Sequence, residues 1–470
     1  MSINQLLEIG RRSLQAYQAA MNTTGQNIAN VETEGYSRRQ VDLESNRTSP
    51  GGLNVGVVGR EALGTGSSVQ DIRRVQDRLL SRAHLEATTG HHTAEEEHRL
   101  VSNLEGVFPT SEGGSLNDQL SAFWNSWEEL ANYPTDKTVR QGVLSRAQTL
   151  TSTMNRIASG IDRIQSETKS EIQNGVDEVN DLLTRIADLN EKIQAGEATG
   201  AKDLEAMDER ERLLANLSEK VPVEVQEREN EYAVLIQGKT VVQGKEVTKL
   251  TADTSGTTAS VSFQNSDATF DYSGNEVGEL GARLQVFNDT LEDAETRMND
   301  LASNLVQAVN DIHNDANTSP HKSGSDNAFE QDGTTAAGDF FTPGNTSAAS
   351  IQVHQDIQDD PTRIAASDTS GETGNNQVAL AIGGLRNTDL AGLGSESANN
   401  FTSNLLSDIG SNVQSAKTRS EAEATAADHV KALKDGTEGV SLNEEMTNLI
   451  EYQQAFAASA RIVQNARQMS

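Results

Sequence analysis

A group of histidines is the part of this sequence whose residue types come nearest to a metal site. His91, His92 and His98 lie within eight positions of each other, and Glu95 lies between them. Zinc ligands on a helix are usually spaced so that they share one face, and these residues lack the i, i+4 spacing. The run of acidic residues that starts at Glu95 is typical of a solvated helix face. The sequence therefore favours a surface helix over a metal centre, and we expect no metal.

Two tryptophans, Trp124 and Trp127, could form a stacking platform for a sugar. They lie three positions apart in an amphipathic pattern, and this spacing is more often that of a helix packed into a core. The sequence contains no phosphate-binding loop, dinucleotide fingerprint, HExxH zinc motif or nucleophile elbow. Carboxylates are so numerous that no pair can be singled out as acid and base. We predict no catalytic residue, no cofactor and no enzyme activity.

The composition indicates long, thin domains. Hydrophobic residues make up 35% of the 470 residues and aromatic residues 4%. An average globular protein has an apolar fraction of about 45–50%. This chain can bury narrow helical seams, but it has little material for a thick core.

The formal net charge of −32 excludes several classes of partner. A nucleic-acid binder needs clustered Lys and Arg, and anionic membranes repel an acidic surface. Because the acidity is spread along the chain, solubility explains it better than a docking surface for a basic partner does. The excess of Asp and Glu also resembles the composition of proteins from salt-loving organisms, and this interpretation stays open.

The chain has no cysteine, which excludes disulfides and thiol chemistry and is typical of proteins outside the cytoplasm. Its N-terminus lacks the features of a cleaved signal peptide, and no apolar run is long enough to span a membrane. We therefore expect export through a specialised route and no membrane insertion.

Both ends of the chain have heptad periodicity, which predicts a long helix at each end. At the N-terminus one row is Leu7, Leu14, Met21 and Ile28, and a second is Ile3, Gly10, Tyr17 and Thr24. At the C-terminus the row is Leu442, Leu449, Phe456 and Val463, with Met446 and Ala460 beside it. Ser441 and Glu444 have the spacing of a capping box that starts the helix at Leu442. Each apolar stripe is too narrow to be buried alone, so we predict that the two helices pair.

Between the two ends, the residue pattern predicts further helices around a β-rich segment. Helices are expected over 116–130, 139–194, 204–217, 279–316, 378–385 and 400–434. Residues 221–272 alternate in polarity and predict strands, and 317–376 predict loops and short strands. The fold class is mainly α with a β-rich outer domain, paired terminal coiled-coil helices and an inner bundle of long helices. We place a terminal domain at 1–36 plus 437–470, an inner domain at 37–220 plus 276–436, and an outer β domain at 221–275.

Residues 25–39, with Asn27, Ile28, Ala29, Asn30, Thr33, Gly35 and Tyr36, resemble the N-terminal signature of flagellar rod, hook and hook-associated proteins. The following Ser37 and Arg38 resemble the first hook-associated protein family in particular. Residues 439–462 resemble the C-terminal helix of that family, and similar stretches occur at 123–134, 206–214, 278–284 and 374–381. This family often has proline where Glu34 stands here.

The resemblance implies which residues serve assembly. In the N-terminal helix and motif they are Leu7, Leu14, Tyr17, Met21, Asn27, Ile28, Ala29, Asn30, Thr33, Gly35, Tyr36, Ser37 and Arg38. In the C-terminal helix, where a chaperone is also implied, they are Leu442, Met446, Leu449, Tyr452, Phe456, Ala460 and Val463. Within the motif, Asn27 and Asn30 can satisfy backbone groups at a helix end, and Gly35 permits a turn.

The resemblance also implies a function. The implied function is that of an extracellular structural subunit between the hook and the filament. The flagellar type III apparatus would export it. The implied partners are the hook protein, the second junction protein, further copies of the chain in a ring-like layer, and an export chaperone. A hook or distal rod protein, a secreted enzyme carried by flagellar ends, and an adhesin are the alternatives. Ser37 and Arg38, the tryptophan helix and the lack of a catalytic constellation favour the junction protein.

Overall fold

The computed structural model describes residues 3–33, 35–45, 66–109, 111, 113–228, 231–314 and 328–469. Most of these residues are helical. The helices are α1 (Ile3–Ala29), α2 (Arg78–Glu105), α3 (Leu116–Asn132), α4 (Lys137–Ala198), α5 (Leu204–Lys220), α6 (Gly278–Gln285), α7 (Glu292–Asn314), α8 (Gln355–Asp359), α9 (Gln377–Gly384), α10 (Ala398–Glu438) and α11 (Leu442–Gln468). The predicted fold class, mainly α with small antiparallel sheets inserted in mid-chain, is confirmed.

Within the described residues, eight short strands form three antiparallel sheets. They are β1 (Arg39–Ser45), β2 (Ser67–Arg74), β3 (Glu224–Arg228), β4 (Glu231–Ile236), β5 (Lys239–Gln243), β6 (Glu246–Val247), β7 (Leu250–Asp253) and β8 (Ser260–Phe263). β1 pairs with β2, β3 to β6 form a meander, and β7 pairs with β8. At the β4–β5 hairpin Gln237 and Gly238 have φ of 50° and 73°, as expected for a two-residue turn that follows the twist of the strands.

The chain divides into two compact units. The first unit contains Met1–His91, Glu178–Lys249 and Glu423–Ser470, and the second contains His92–Asp177 and Leu250–Ala422. The strands of residues 221–275 are divided between them, with β3–β6 in the first unit and β7 and β8 in the second. The three-domain boundaries given above stay predictions.

For the region of α2 the sequence predicted only a surface helix around Glu95, and the solvated acidic face is wrong at Glu96, which is 7% exposed. Three of the eight buried positions of α2 are polar, namely Thr89, Thr93 and Glu96. The apolar periodicity is therefore weak even though this face is buried. Within the second unit, the Thr93 hydroxyl accepts the N–H groups of Val277 and Gly278 at 3.1 and 2.8 Å, which caps α6. Thr93 therefore helps to place a helix start that is remote in sequence.

The helix predicted over 279–316 is interrupted. Residues Val286–Leu291 form a π-helical turn between α6 and α7, and 315–316 lie outside the described residues. Asn288, in this turn, accepts the N–H of Ala259 at 2.7 Å and donates to its carbonyl at 2.8 Å. The wider turn places Asn288 against the β7–β8 connection, a contact that periodicity could not predict.

The core of the second unit is an aromatic cluster around α3. Phe123, Trp124 and Trp127 are at most 1% exposed, and Phe123 lies 6.0 and 6.1 Å from Phe340 and Phe341 between ring centroids. Trp124 donates its indole N–H to Asn399 at 3.0 Å. The two tryptophans are therefore core residues, as favoured from the sequence.

His313 makes the second unit sensitive to acid. Its ring is buried. Nδ1 lies 2.7 Å from the carbonyl oxygen of Gly338, and Nε2 accepts the N–H of Ala365 at 2.9 Å. Both contacts fit a neutral ring. If Nε2 carried a proton, two donors would face each other, and the hydrogen bond from Ala365 would be lost. Burial is the main cause that lowers the pKa of His313 from 6.5 to about 4.

We expect the second unit to lose stability as the pH falls from 6.5 towards 4. Because the pKa of His313 is lower in the folded than in the unfolded state, its contribution is complete above pH 6.5 and decreases with acid. The loss reaches about 3 kcal/mol near pH 4. Urea unfolding followed by tryptophan fluorescence at a series of pH values measures it. His313→Gln should remove this part of the pH dependence and His354→Gln, a half-buried control, should keep it. Equal profiles for wild type and His313→Gln would contradict the assignment.

Candidate functional site

The two terminal segments meet at a group of buried and half-buried polar side chains in the first unit. This end cluster consists of Asn27, Arg38, Arg39, Arg74, Asp208, Glu211, Lys434, Glu438 and Glu445. Its members come from α1, the β1–β2 hairpin, α5, α10 and α11. The cluster connects segments that lie up to about 400 residues apart in sequence, including Arg38 and Glu445, whose separation is 407 positions.

Asn27, at the end of α1, is 1% exposed and uses its whole amide. Its Nδ2 donates to the carbonyl of Arg39 at 2.9 Å and to Glu445 Oε2 at 3.0 Å. Its Oδ1 accepts the Tyr36 hydroxyl and the N–H of Arg39, both at 3.0 Å. A single side chain therefore joins the helix, the following turn, β1 and α11. Aspartate could not replace it, because Nδ2 is needed as a donor.

The turn between α1 and β1 is closed by its own polar residues. Asn30 Nδ2 donates to the carbonyl of Gln26 at 2.9 Å, and the N–H of Thr33 donates to the carbonyl of Asn30 at 3.0 Å. Gly35 has φ of 77°, which an L side chain rarely adopts. The chain therefore reverses within a few residues and returns Tyr36 to Asn27. Glu34, which replaces the usual proline, lies outside the described residues.

Arg38 connects this turn to α11 through two neighbouring carboxylates. Its guanidinium donates to Glu445 at 2.8 Å and to Glu444 at 2.9 Å, and its backbone N–H donates to the carbonyl of Glu438 at 2.9 Å. The side chain of Glu445 is 3% exposed and that of Glu444 is 62% exposed. Only the Glu445 pair is shielded from water, so it is the pair that should contribute strongly.

The capping box predicted at Ser441 and Glu444 is wrong. Helix α11 begins at Leu442 as predicted, but the Ser441 side chain makes no capping hydrogen bond. Glu444 contacts Arg38 instead of the cap backbone. With Arg38 both partners carry a full charge, whereas at the cap only the carboxylate would, and this favours the contact with Arg38.

Helix α5 supplies the acidic centre of the end cluster. Asp208 lies 2.6 Å from Arg74 Nε and 3.3 Å from Arg39, and Glu211 contacts Arg74 and lies 2.9 Å from Lys434. Burial raises the pKa of Asp208 in spite of these cations. For Glu211 burial acts in the same direction, but the charges of Lys434 and Arg74 outweigh it and lower the pKa. Glu211 is therefore the more firmly charged of the two acids.

Glu438 fixes the end of α10 to the same place. Its Oε1 accepts the N–H of Asp77 at 2.7 Å, and its Oε2 lies 3.3 Å from Lys434. Together with the bond from Arg38 to its carbonyl, this brings the α10–α11 junction to the β1–β2 hairpin. The end cluster thus holds both chain ends in a defined position.

Helices α1 and α11 pack against each other in antiparallel directions. Gly10 faces Val463, Tyr17 lies 6.5 Å from Tyr452 between ring centroids, and Asn27 bonds Glu445. Small residues line this contact: Gly10 and Ala20 on α1 and Ser459 and Ala466 on α11 are buried. The pairing of the terminal helices is therefore seen within one chain.

The sequence-predicted residues fall into three groups. Asn27 and Ser37 are buried. Half-buried are Leu7, Leu14, Tyr17, Met21, Ile28, Asn30, Tyr36, Arg38, Leu449, Tyr452, Phe456, Ala460 and Val463. Exposed are Ala29, Thr33, Gly35, Leu442 and Met446. The structure brings the motif residues Asn27, Tyr36 and Arg38 together, whereas Leu442 and Met446 contribute to an open apolar surface.

Sequence reasoning missed most acidic members of the end cluster. Glu445, Asp208, Glu211 and Glu438 were not selected, because an acidic residue in so acidic a chain carries no distinguishing signal. The family resemblance covered three of the four, since Glu445 lies in the stretch 439–462. Residues 206–214 were noted as a stretch that resembles the family, and Asp208 and Glu211 lie in it, one helical turn apart.

The histidine group does not form a metal site in the structure. His92 Nδ1 lies 3.6 Å from Glu95 and 3.6 Å from Glu279, within the second unit. In the described part of the chain, no three His, Cys, Asp or Glu side chains gather as metal ligands would. A search of the described helices also finds none with the length and apolar character of a membrane span.

Replacing Gly10 by alanine is expected to weaken the helix pair. A Cβ at Gly10 would lie 2.5 Å from Cγ2 of Val463, whereas a Cβ at Gly25 in the same helix meets nothing within 4 Å. We expect Gly10→Ala to cost about 1–2 kcal/mol and Gly25→Ala to stabilise by about 0.5–1 kcal/mol. Urea unfolding followed by circular dichroism compares the two. If both changes stabilise, α1 and α11 do not approach as closely as described.

Three segments of the chain match known flagellar families. Residues 7–36 match the flagella basal body rod protein family, 101–327 match the helical domain of the flagellar hook-associated protein FlgK, and 437–470 match the C-terminal family of the basal body rod FlgEFG proteins. The chain is 27% identical to flagellar hook-associated protein 1 of Bacillus subtilis, over 97% of this chain and 95% of that protein. It is 24% identical to the protein of the same name from Escherichia coli, over 99% and 98%.

These matches support a FlgK-like flagellar hook-associated protein. Its fold is similar to that of the flagellar hook junction protein FlgK from Burkholderia pseudomallei, with a TM-score of 0.64 at 13% identity. That similarity covers 75% of this chain and 99% of the other. The family consists of structural flagellar proteins and is not an enzyme family. This hook-associated protein therefore belongs to the flagellum, where it associates with other flagellar components.

Proposed function

We propose that this hook-associated protein forms the junction between the hook and the filament. It is exported by the flagellar type III apparatus, assembles at the distal end of the hook, and provides the platform for the second junction protein and then for flagellin. The relatives named hook-associated protein 1 and the structural neighbour named a hook junction protein support this proposal.

The observation that carries the proposal is an open apolar surface on a helix that is otherwise firmly held. Leu442, Met446 and Ile450 on α11 are 48%, 49% and 50% exposed. They follow each other at four-residue steps and so form one patch at the start of the helix. The end cluster holds this part of α11 in place through Glu445. A patch that is both apolar and held in position is suited to contact with another protein.

In our proposal the terminal helix pair enters the axial core of the flagellum. Neighbouring copies in a ring-like layer, together with the hook protein below and the second junction protein above, cover the patch. Before assembly an export chaperone covers the C-terminal helix, including Leu449, Tyr452 and Phe456. During assembly the neighbouring flagellar subunits replace the chaperone on α11, so its apolar surface is not exposed to water.

Deletion of the gene tests the proposed function. A strain that lacks this protein should carry hooks without filaments by electron microscopy, and flagellin should be found in the medium. Absence of the hooks themselves would show instead that the protein belongs to the hook or the rod. A strain with normal filaments would overturn the proposal.

A further inference from the structure

The acidity of this protein is unevenly divided between its two units. In the first unit 24 Lys and Arg stand against 32 Asp and Glu, which gives a net charge of −8. In the second unit 14 Lys and Arg stand against 38 Asp and Glu, which gives −24. Acidity is spread along the whole chain, as described from the sequence, but its net excess differs between the two units. Three quarters of the net charge belong to one unit.

Both units contain buried ion pairs, and in the second unit Arg283 lies 2.6 Å from Glu96, but the second unit has the larger excess of acids. In the first unit the end cluster pairs Arg38, Arg39, Arg74 and Lys434 with buried carboxylates, and buried pairs are screened little by salt. In the second unit acids crowd near each other. Burial and then the charge of Glu295 raise the pKa of Asp162. Burial also raises the pKa of Glu330, near Asp332, Asp356 and Asp360, although Arg363 opposes it.

We propose that the second unit depends on high ionic strength for its stability, whereas the first unit does not. A large net charge of one sign destabilises a compact state through self-repulsion. Mobile cations relieve that repulsion, because the screening length falls from about 10 Å at 0.1 M salt to about 3 Å at 1 M. No specific ion site is needed, since the effect comes from the charge of the whole unit. The inference concerns stability and is independent of the proposed junction role.

The protein contains its own reporter for this test. Trp124 and Trp127 are the two tryptophans of the chain, and both lie in the buried core of the second unit. Their fluorescence therefore follows the unfolding of that unit in the intact chain. Urea is the denaturant, because it adds no charge. We expect the midpoint of the tryptophan transition to rise by about 1 M urea between 0.1 and 2 M NaCl.

Amide hydrogen exchange measures the first unit in the same samples. The exchange protection of peptides from α1, α5 and α11 should change less than threefold over this salt range. Potassium chloride should act as sodium chloride does, and 1 M sucrose, which adds no ions, should not reproduce the difference between the units. A tryptophan midpoint that does not move with salt would overturn the proposal. So would an equal salt response in both units.

Matched charge-removing variants give a second test. Four exposed acids of the second unit are changed in one variant: Glu105→Gln, Asp267→Asn, Glu276→Gln and Asp300→Asn. Four exposed acids of the first unit are changed in the control: Asp181→Asn, Asp188→Asn, Glu246→Gln and Glu451→Gln. The first variant should raise the tryptophan midpoint at 0.1 M NaCl and reduce its shift with salt, and the control should change neither. If the two variants behave alike, the charge of the second unit is not the cause.

Discussion

Glu445→Gln is expected to destabilise the first unit by about 3 kcal/mol, close to the cost of breaking a buried ion pair. The carboxylate accepts from Asn27 and from Arg38 with its two oxygens. A glutamine has one acceptor oxygen, so its NH₂ group would face one of these donors. Urea unfolding measures the loss, and amide exchange across 442–468 should rise in parallel.

Glu444→Gln is the matched control for this change. It removes the neighbouring carboxylate, which also contacts Arg38 at 2.9 Å but whose side chain is 62% exposed. An exposed pair is worth little, and we expect a change below about 0.5 kcal/mol. If the end cluster positions the chain ends for assembly, Glu445→Gln should reduce motility and Glu444→Gln should not. Similar losses from both changes would show that burial of Glu445 does not decide its role.

Phe123→Ala should destabilise the second unit by about 3–5 kcal/mol, the usual cost of removing a fully buried phenylalanine. Phe123 is 0% exposed, and its ring contacts Trp124, Trp127, Phe340 and Phe341. The variant keeps both tryptophans, so their fluorescence still reports the urea transition.

Tyr133→Ala is the control for Phe123→Ala. Tyr133 follows the same helix α3, but it is 61% exposed, so its loss should cost less than about 0.5 kcal/mol. Both substitutions remove one aromatic ring, so a difference between their costs reflects the difference in burial of the two rings. A cost below about 1 kcal/mol for Phe123→Ala would mean that the aromatic cluster is not the core of this unit.

The fold could be predicted wherever local periodicity was strong. The heptad rows of α1 and α11 and the three- and four-residue steps of α3 and α4 predicted helices whose ends agree with the structure within a few residues. In α3 and α4 apolar residues repeat because one face of each helix is buried, whereas in α11 the repeat includes the exposed Leu442 and Met446. The extent and burial of helix α2 were missed, and only a surface helix near Glu95 was expected, because Thr89, Thr93 and Glu96 occupy its buried face. Their hydrogen bonds to other segments, and not apolar contact, satisfy that face.

The candidate site was predictable in part. The motif from Asn27 to Arg38 was found through its resemblance to the signature of the flagellar family, and its Asn and Gly residues are also types that a tight turn needs. The acidic half of the end cluster was not found, since Glu445 and Glu444 are adjacent and identical in type. Only the tertiary structure shows that Glu445 is enclosed by Asn27 and Arg38 while Glu444 faces water.

The sequence by itself determined which segments become helices and which residues form the tight turn after α1, because both depend on contacts between near neighbours. The tertiary structure decided which carboxylates are buried, which cation each one meets, and how the net charge divides between the two units. These properties depend on residues up to about 400 positions apart, such as Arg38 and Glu445 at a separation of 407. No local pattern in the sequence records such a contact, because it exists only when the chain has brought its two ends together.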